Sequence, residues 1–356
     1  MRPFIPHNRV TIAEDAIEQV HALLRSGQLA MGPACACLER ELGAYLGRPH
    51  VMAVNSCTSA LHLALLALKV RATDEVMLPS YVCISLYNAV IMAGMRARLV
   101  DVDGETANID AAGVRRALSP RTRAIIVPHM FGTAANMDEL LAFGVPVIED
   151  ITHAIGGRYR QHALGSLGAM AVVSFYATKM ICGGEGGAVI CGDPQLAERI
   201  RDMRDYTQAR ETWTLRYNYK ISDIHAAIAL AHLRKVDEAI RQRAVIADRY
   251  RRQLRELPGM RLPVEPPGIR QTYYRYIIRV PAEVGSPRIR ERMHEMGVGA
   301  GDGVARPIHQ QLGRADRAFP RSACWHHTAV SLPIYVSLSE GEQAIVVESL
   351  TRALCP

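Results

Sequence analysis

The sequence predicts an α/β protein: a mostly parallel sheet covered by helices on both faces, followed by a smaller α+β lobe. Three observations carry that expectation. Short apolar runs alternate with helical stretches over the first half of the chain, the pattern of a sheet buried on both sides. At 356 residues the chain is longer than one core can usefully grow, so two lobes are expected. After a long helical stretch the composition shifts at Leu257-Pro258-Gly259, which places the boundary between lobes within residues 240–258.

The elements follow in order. A helix is predicted from Thr11 to Arg25, and a second from Ala34 to Leu46 after Gly32-Pro33. Val51–Asn55 reads as a short strand. Thr58–Leu68 reads as a helix capped by Asn55 or Ser56. Strands are predicted at Glu75–Pro79, Ala97–Val102, Arg123–His129, Val145–Glu149, Ala169–Phe175 and Ala188–Cys191. Helices at Ile84–Ala93 and Met137–Ala142 lie between some of them. Ile221–Glu256 is long and helical. Beyond it come a strand near Tyr273–Val280, a helix near Ser286–Met296 and a last helix near Ser339–Leu354.

Composition narrows the class. Hydrophobic residues make up 49% and charged residues 22%, ordinary for a globular enzyme. No apolar run is long enough to span a membrane. The start, M-R-P-F-I-P-H-N-R, lacks the apolar centre of a signal peptide, so a cytoplasmic location is expected. The formal net charge is +7, but the basic residues are scattered and not interleaved with aromatics. A nucleic-acid partner is therefore not expected. The eight cysteines show no CxxC pair and no zinc spacing, so all are read as reduced thiols and no metal site is expected. Nearly all cations are Arg; the only lysines are Lys69, Lys179, Lys220 and Lys235. Arg cannot form a Schiff base, so a site that needs a primary amine must keep Lys.

Three places carry chemistry. Asp150 ends the buried run V-P-V-I-E-D, at the strand end where open α/β sheets bind ligands. A carboxylate there is costly to bury without a cation, and a protonated pyridine nitrogen would serve as one. The alternative is an Asp that only caps the next helix. Lys179 follows a strand in S-F-Y-A-T-K, just before G-G-E-G-G. An amine held there, partly desolvated, suits Schiff-base chemistry; the alternative is a surface lysine. Asn55-Ser56-Cys57-Thr58-Ser59 opens an apolar helix, which is a phosphate cradle or an ordinary cap. Their order along the chain is that of a pyridoxal 5'-phosphate (PLP) site.

With those residues in view, the sequence resembles the DegT/DnrJ/StrS family of PLP-dependent sugar aminotransferases over nearly its whole length. S-G-Q-L-A-M-G-P resembles the family's S-G-x-L-x-x-G-P, and N-S-C-T-S-A-L-H-L-A-L resembles N-S-G-T-A-A-L-H-L-A-L. P-S-Y-V-C-I-S-L-Y-N-A-V, V-D-V-D-G-E-T-A-N-I-D, I-E-D-x-x-H-A-x-G-G, G-S-L-G, S-F-Y-A-T-K and E-G-G-A-V follow in order. R-Y-N-Y-K-I-S-D-I-H-A-A-I, R-P-I-H-Q-Q and S-L-P-I-Y close the set.

The resemblance implies a three-layer PLP-transferase (fold type I) large domain, residues 1–240, with a mostly parallel seven-stranded sheet. A smaller C-terminal α+β domain would take residues 241–356. It implies that Lys179 forms the internal aldimine and then moves the proton, and that Asp150 pairs with the pyridine nitrogen. His153 would lie near the ring hydroxyl. Thr58, Ser59 and Ser174 would hold the phosphate, beside Cys57. Asn218 would reach the cofactor of a neighbouring subunit, which implies a homodimer with shared sites. Lys220 and His309 are candidates for substrate contact; for His153 and His309 the alternative is a satisfied structural histidine.

The sequence also departs from the family. Cys57 replaces a glycine, and Cys83 stands where the family usually has the aromatic that stacks on the cofactor, so stacking is either lost or supplied from elsewhere, for instance by Tyr81. Lys220 stands where Arg is common, a point charge in place of a planar fork.

The function implied is transfer of an amino group from an amino acid, glutamate or glutamine, to a keto group of a nucleotide-linked sugar. A dehydrating or aromatising enzyme of the same scaffold, like aminohydroxybenzoate synthase, is the alternative within PLP chemistry. The sugar dehydratase relatives carry His in place of the lysine, and Lys179 argues against that branch. A non-catalytic regulator on this fold would be favoured by loss of Lys179 or Asp150, and both are present.

Overall fold

Seven strands form one sheet in the order His50–Val54, Gly187–Cys191, Met170–Ser174, Val147–Asp150, Thr122–Pro128, Glu75–Pro79 and Arg96–Val100. The computed structural model describes residues 3–207 and 215–354. Neighbouring strands pair in parallel, except that Gly187–Cys191 runs antiparallel to both its neighbours. The reversal is made by the glycines between Met170–Ser174 and Gly187–Cys191. Gly186 has φ +130, a backbone conformation that residues with a Cβ rarely adopt.

Side chains alternate between two cores along each strand, as a pleated sheet requires. Val51, Ala53, Val127, Ala171 and Val173 join one core; Met52, Val54, Ile126 and Val172 join the other. Helix Pro33–Leu46 and the first part of helix Asp223–Leu254 cover the first face through Leu38, Leu42, Ala226 and Leu230. Helices Cys57–Ala67, Ile84–Met92 and Pro194–Arg204 cover the second through Leu61, Leu86 and Ile200. The result is the expected three-layer α/β arrangement.

Beyond it, strands Tyr276–Arg279 and Ala329–Leu332 pair antiparallel, with helices Ser286–Glu295 and Glu340–Leu354 packed around a third core. Helix Asp223–Leu254 runs unbroken through residue 240. Its Ile240 belongs to the sheet's core, whereas its Ile246, Tyr250 and Leu254 belong to the third. One helix therefore serves both cores. The N-terminal segment also crosses over: Ile5 bridges to Val298 and packs in the third core.

Several helices differ from expectation. Cys57–Ala67 begins one residue earlier, and of the two candidate caps it is Ser56 that accepts from Ser59 N. Helices Ala111–Ala117, Pro194–Arg204 and Pro320–Thr328 and strand Ala329–Leu332 were not anticipated. The Pro194–Arg204 helix carries a local signature, Asp193 capping Gln195 N with Pro at the first turn. The strand expected from Tyr273 starts only at Tyr276, because Tyr273 takes a left-handed φ of 50° and its neighbours turn toward the sheet. Among the described residues, no helix is long and apolar enough to cross a membrane. The seven cysteines Cys35, Cys37, Cys57, Cys83, Cys182, Cys191 and Cys324 are free; Cys355 lies outside the described residues.

Candidate active site

Lys179 sits in the turn that reverses the chain between Met170–Ser174 and Gly187–Cys191. Two groups face its amine. His153 Nε2 lies 3.2 Å from Nζ, and Tyr274 Oη accepts from Nζ at 3.3 Å. The His153 and Tyr274 rings stack at 4.2 Å with an interplanar angle of 18°. His153 follows strand Val147–Asp150, so adjacent parallel strand ends deliver both Lys179 and His153. Burial, then the charges of Lys179 and Arg275, hold His153 well below the usual histidine range, so it is neutral.

Asp150 is the last residue of its strand and is buried. Its Oδ1 accepts from Thr152 N at 3.0 Å, while Oδ2 has no partner among the described residues. Thr152 ties the site together. Its Oγ1 accepts from Ser174 N at 3.1 Å and lies 3.7 Å from Cys57 Sγ. Burial pushes the Cys57 thiol well up, the Asp150 charge adds to that, and Lys179 opposes it. One thiol thus senses Asp150 and Lys179 together.

The start of the Cys57–Ala67 helix meets this cluster. A Cβ on Gly187 would lie 2.7 Å from Cys57 N, so the glycine strand packs directly under the helix start. Ser59 Oγ donates to Asn55 Oδ1 at 2.7 Å and lies 2.9 Å from Ser56 Oγ. The Thr58 hydroxyl has no partner among the described residues. Ser174 Oγ accepts from Tyr176 N at 3.2 Å and keeps its own proton to donate.

The remaining candidates lie elsewhere. Tyr81 is fully buried, with its hydroxyl accepting from Val304 N at 3.2 Å and its ring against Trp325 and Phe131. It fills the core and presents no open face for stacking, which corrects the substitution expected for Cys83. His309 is fully buried; Nδ1 lies 2.6 Å from Ser80 Oγ and Nε2 2.9 Å from Asp316 Oδ1. With both nitrogens taken it is a structural histidine, not the expected substrate contact. Lys220 Nζ donates to Asp205 Oδ1 at 2.8 Å and sits over the Tyr206 ring. Asn218 is exposed, and its carbonyl accepts from Asn55 Nδ2 at 3.3 Å, close to the helix start.

Sequence motifs gave no hint of Thr152, Tyr274, Arg275 or Phe131. Thr152 occupies a variable position inside I-E-D-x-x-H. The Arg275 guanidinium lies 5.6 Å from the Tyr274 ring centroid. A cavity of about 70 Å³ is lined by His7, Asn8, Thr178, Tyr274, Arg275 and Ile334, and a second of about 270 Å³, which shares Asn8 and Thr178 with it, reaches Lys179 and Arg243. A larger one, about 760 Å³, is lined by Asn108, Tyr159 and Arg160 and touches none of these groups. The chemistry of the lining decides between them, and it favours the Lys179 end.

Residues 10–351 match the model of the DegT/DnrJ/EryC1/StrS aminotransferase family. The chain belongs to this family. The aminotransferase is 31% identical to the spore coat polysaccharide biosynthesis protein SpsC of Bacillus subtilis (strain 168), over 98% of this chain and 96% of that protein. Its fold superposes on the aminotransferase TlmJ of Streptoalloteichus hindustanus with a TM-score of 0.93 at 30% identity, covering 98% of each chain. DesV of S. venezuelae gives 0.89 at 29% identity, covering 96% of this chain and 94% of that one. Members of the family are PLP-dependent, and this aminotransferase has the fold type I architecture. Its residues fit that cofactor: Asp150 Oδ2 is free to accept a ring N–H, and the Thr58 and Ser174 hydroxyls can donate to a phosphate.

Proposed function

We propose that this aminotransferase transfers an amino group from glutamate or glutamine to a keto group of a sugar, nucleotide-linked, with PLP held covalently at Lys179. The observation that carries this reading is the Lys179 amine, presented between His153 and Tyr274 at the same strand ends as Asp150. The sugar follows from the relatives, one of which serves spore coat polysaccharide biosynthesis.

Bound PLP supplies an electron sink for negative charge at the carbon bearing the amino group. The protein does the rest. Asp150 Oδ2 keeps a proton on the pyridine nitrogen, since a buried carboxylate favours a cation beside it. Thr58 and Ser174 hold the phosphate at a helix start, where the dipole also favours an anion; Ser59 supports that turn from within. Cys57 closes the pocket beside Thr152. The neutral His153 can bond the ring hydroxyl. Lys179 Nζ would be the group that takes up and returns a proton there. Asn218, exposed beside the helix start, would reach the phosphate in a partner subunit of a homodimer.

The test is direct. Purified enzyme loaded with PLP should lose its visible cofactor band when glutamate or glutamine is added. The band should return when a keto-sugar nucleotide follows, with a product that has gained nitrogen. No bleaching with any amino acid would count against the reading. A product that has lost water without gaining nitrogen would move the enzyme to the dehydrating branch.

A further inference from the structure

The Lys179 amine must be uncharged to attack a carbonyl carbon, so something must take its proton. Among the described residues, the polar groups facing Nζ are His153 Nε2 and Tyr274 Oη, and no carboxylate lies within ion-pair distance. His153 cannot take the proton. Its Nδ1 accepts from Phe131 N at 3.4 Å, which puts the proton of the neutral ring on Nε2 and leaves Nε2 no lone pair. The Tyr274 oxygen is the remaining acceptor.

We propose that Tyr274 is the proton acceptor of Lys179. This rests on the reading that Lys179 carries the cofactor. An N–H bond of the Lys179 ammonium breaks and an O–H bond forms on the Tyr274 phenolate. The amine keeps the electron pair, the net charge of the two groups is unchanged, and no other reactant is needed.

The packing holds Tyr274 for that task. Thr272 N donates to Gly132 O at 3.1 Å and Arg275 N to Phe131 O at 3.3 Å, which fastens the segment to the end of the sheet. Arg243, from the long helix, donates to the Tyr274 carbonyl at 3.1 Å. The ring is clamped by His153, with Lys179 Nζ 4.9 Å from its centroid. The groups around it are Lys179 and Thr178 from the reversing turn, His153 from the neighbouring strand end, Arg275 from its own segment and Arg243 from the helix. His7 lines the same small cavity from the N-terminal segment. Burial and Arg275 lower its pKa to about 4, so it too is neutral. The surroundings are cations and neutral groups. Burial alone would raise the phenol, but Lys179 and Arg275 outweigh it and bring it down to about 8.

Tyr274→Phe removes the acceptor and keeps the ring. In cofactor-free wild-type protein, ultraviolet difference titration should show one tyrosine ionising near pH 8. That transition should vanish in Tyr274→Phe and move upward in Lys179→Met, which removes the first of the two cations. Stopped-flow attachment of PLP should slow by roughly a hundredfold in Tyr274→Phe, the low end of general acid–base contributions. Pyridoxine 5'-phosphate has no aldehyde and should bind the variant as tightly as wild type. A wild-type titration with no low tyrosine, an unchanged attachment rate, or equal loss of pyridoxine 5'-phosphate affinity would each overturn the proposal. Wild-type protein that binds PLP without attaching it to Lys179 would overturn the cofactor reading as well.

Discussion

Asp150 has one oxygen committed to Thr152 N and the other without a partner among the described residues, and that division sets what a substitution does. Asp150→Asn keeps an oxygen for the Thr152 amide, so the turn should fold as before. It loses the negative charge that, on the proposed reading, would hold a proton on the cofactor ring. Catalytic efficiency should fall by on the order of a hundredfold or more, the scale of losing one preorganised electrostatic partner. Steady-state kinetics with the cofactor content measured in parallel tests this; wild-type efficiency in a fully loaded variant would exclude the role. The placement of Asp150, Lys179 and Thr58 was legible in the sequence because each sits in a motif that is local and directional: a strand end, a strand exit, a helix start. Tyr274 was not, because its partner Lys179 is 95 residues away. In sequence it is one aromatic in a strand-like run. Its role comes from a left-handed residue before it, which no period-two pattern encodes. His309 failed in the opposite direction: its motif was clear, but only the fold supplies the Ser80 and Asp316 that occupy it.

At the scale of elements, the sheet was easy to anticipate and the helix junctions were not. Strands such as Met170–Ser174 are buried along their whole length, so an apolar run suffices to find them. Helix Ala111–Ala117 is short and contains Gly113, and its visible signal is Asp110 capping Gly113 N. The junction that sets the large lobe is Asp223, the second residue of S-D-I. It is fully buried at the start of the long helix, yet it accepts from Gly32 N, Ala34 N and Cys35 N at 2.8, 3.1 and 3.0 Å. One carboxylate at the N-terminus of one helix therefore caps another, and both helices cover the same face of the sheet. Asp223→Ala leaves three amides without that acceptor. At about 1–3 kcal/mol for a buried unsatisfied group, a loss of roughly 3 kcal/mol is expected even after partial relaxation. A lower midpoint of thermal or denaturant unfolding would report it; an unchanged midpoint would mean that water or side chains replace the cap without cost.

For the whole molecule, the question is what keeps the Lys179 turn and the Tyr274 segment in register when the long helix serves two cores. Arg243 lies between Ile240, in the sheet's core, and Ile246, in the third. Its Nη1 donates to the carbonyls of Tyr273, Tyr274 and Ile334 at 3.2, 3.1 and 2.9 Å. Ile334 belongs to the third core and Tyr274 to the sheet's core, so one guanidinium joins both lobes at the edge of the site. Burial lowers its pKa to about 10, which still leaves it charged at neutral pH. That depression amounts to roughly 3 kcal/mol of unfavourable desolvation. Nη1 has two hydrogens, which the three carbonyls share, and at about 1.5–3 kcal/mol for each bond from a charged donor the two offset that cost. Arg243→Met fills a similar volume but leaves those carbonyls without that donor, and at about 1–3 kcal/mol for a buried unsatisfied group it should destabilise the protein by about 2 kcal/mol. It should also slow attachment of PLP at Lys179, because Tyr274 loses the bond that fixes its backbone. Arg243→Lys restores the charge without the fork and should recover stability only in part. Unfolding midpoints and attachment rates of the two variants separate these effects. If Arg243→Met were destabilised yet attached PLP at the wild-type rate, the guanidinium would hold the lobes together without positioning Tyr274.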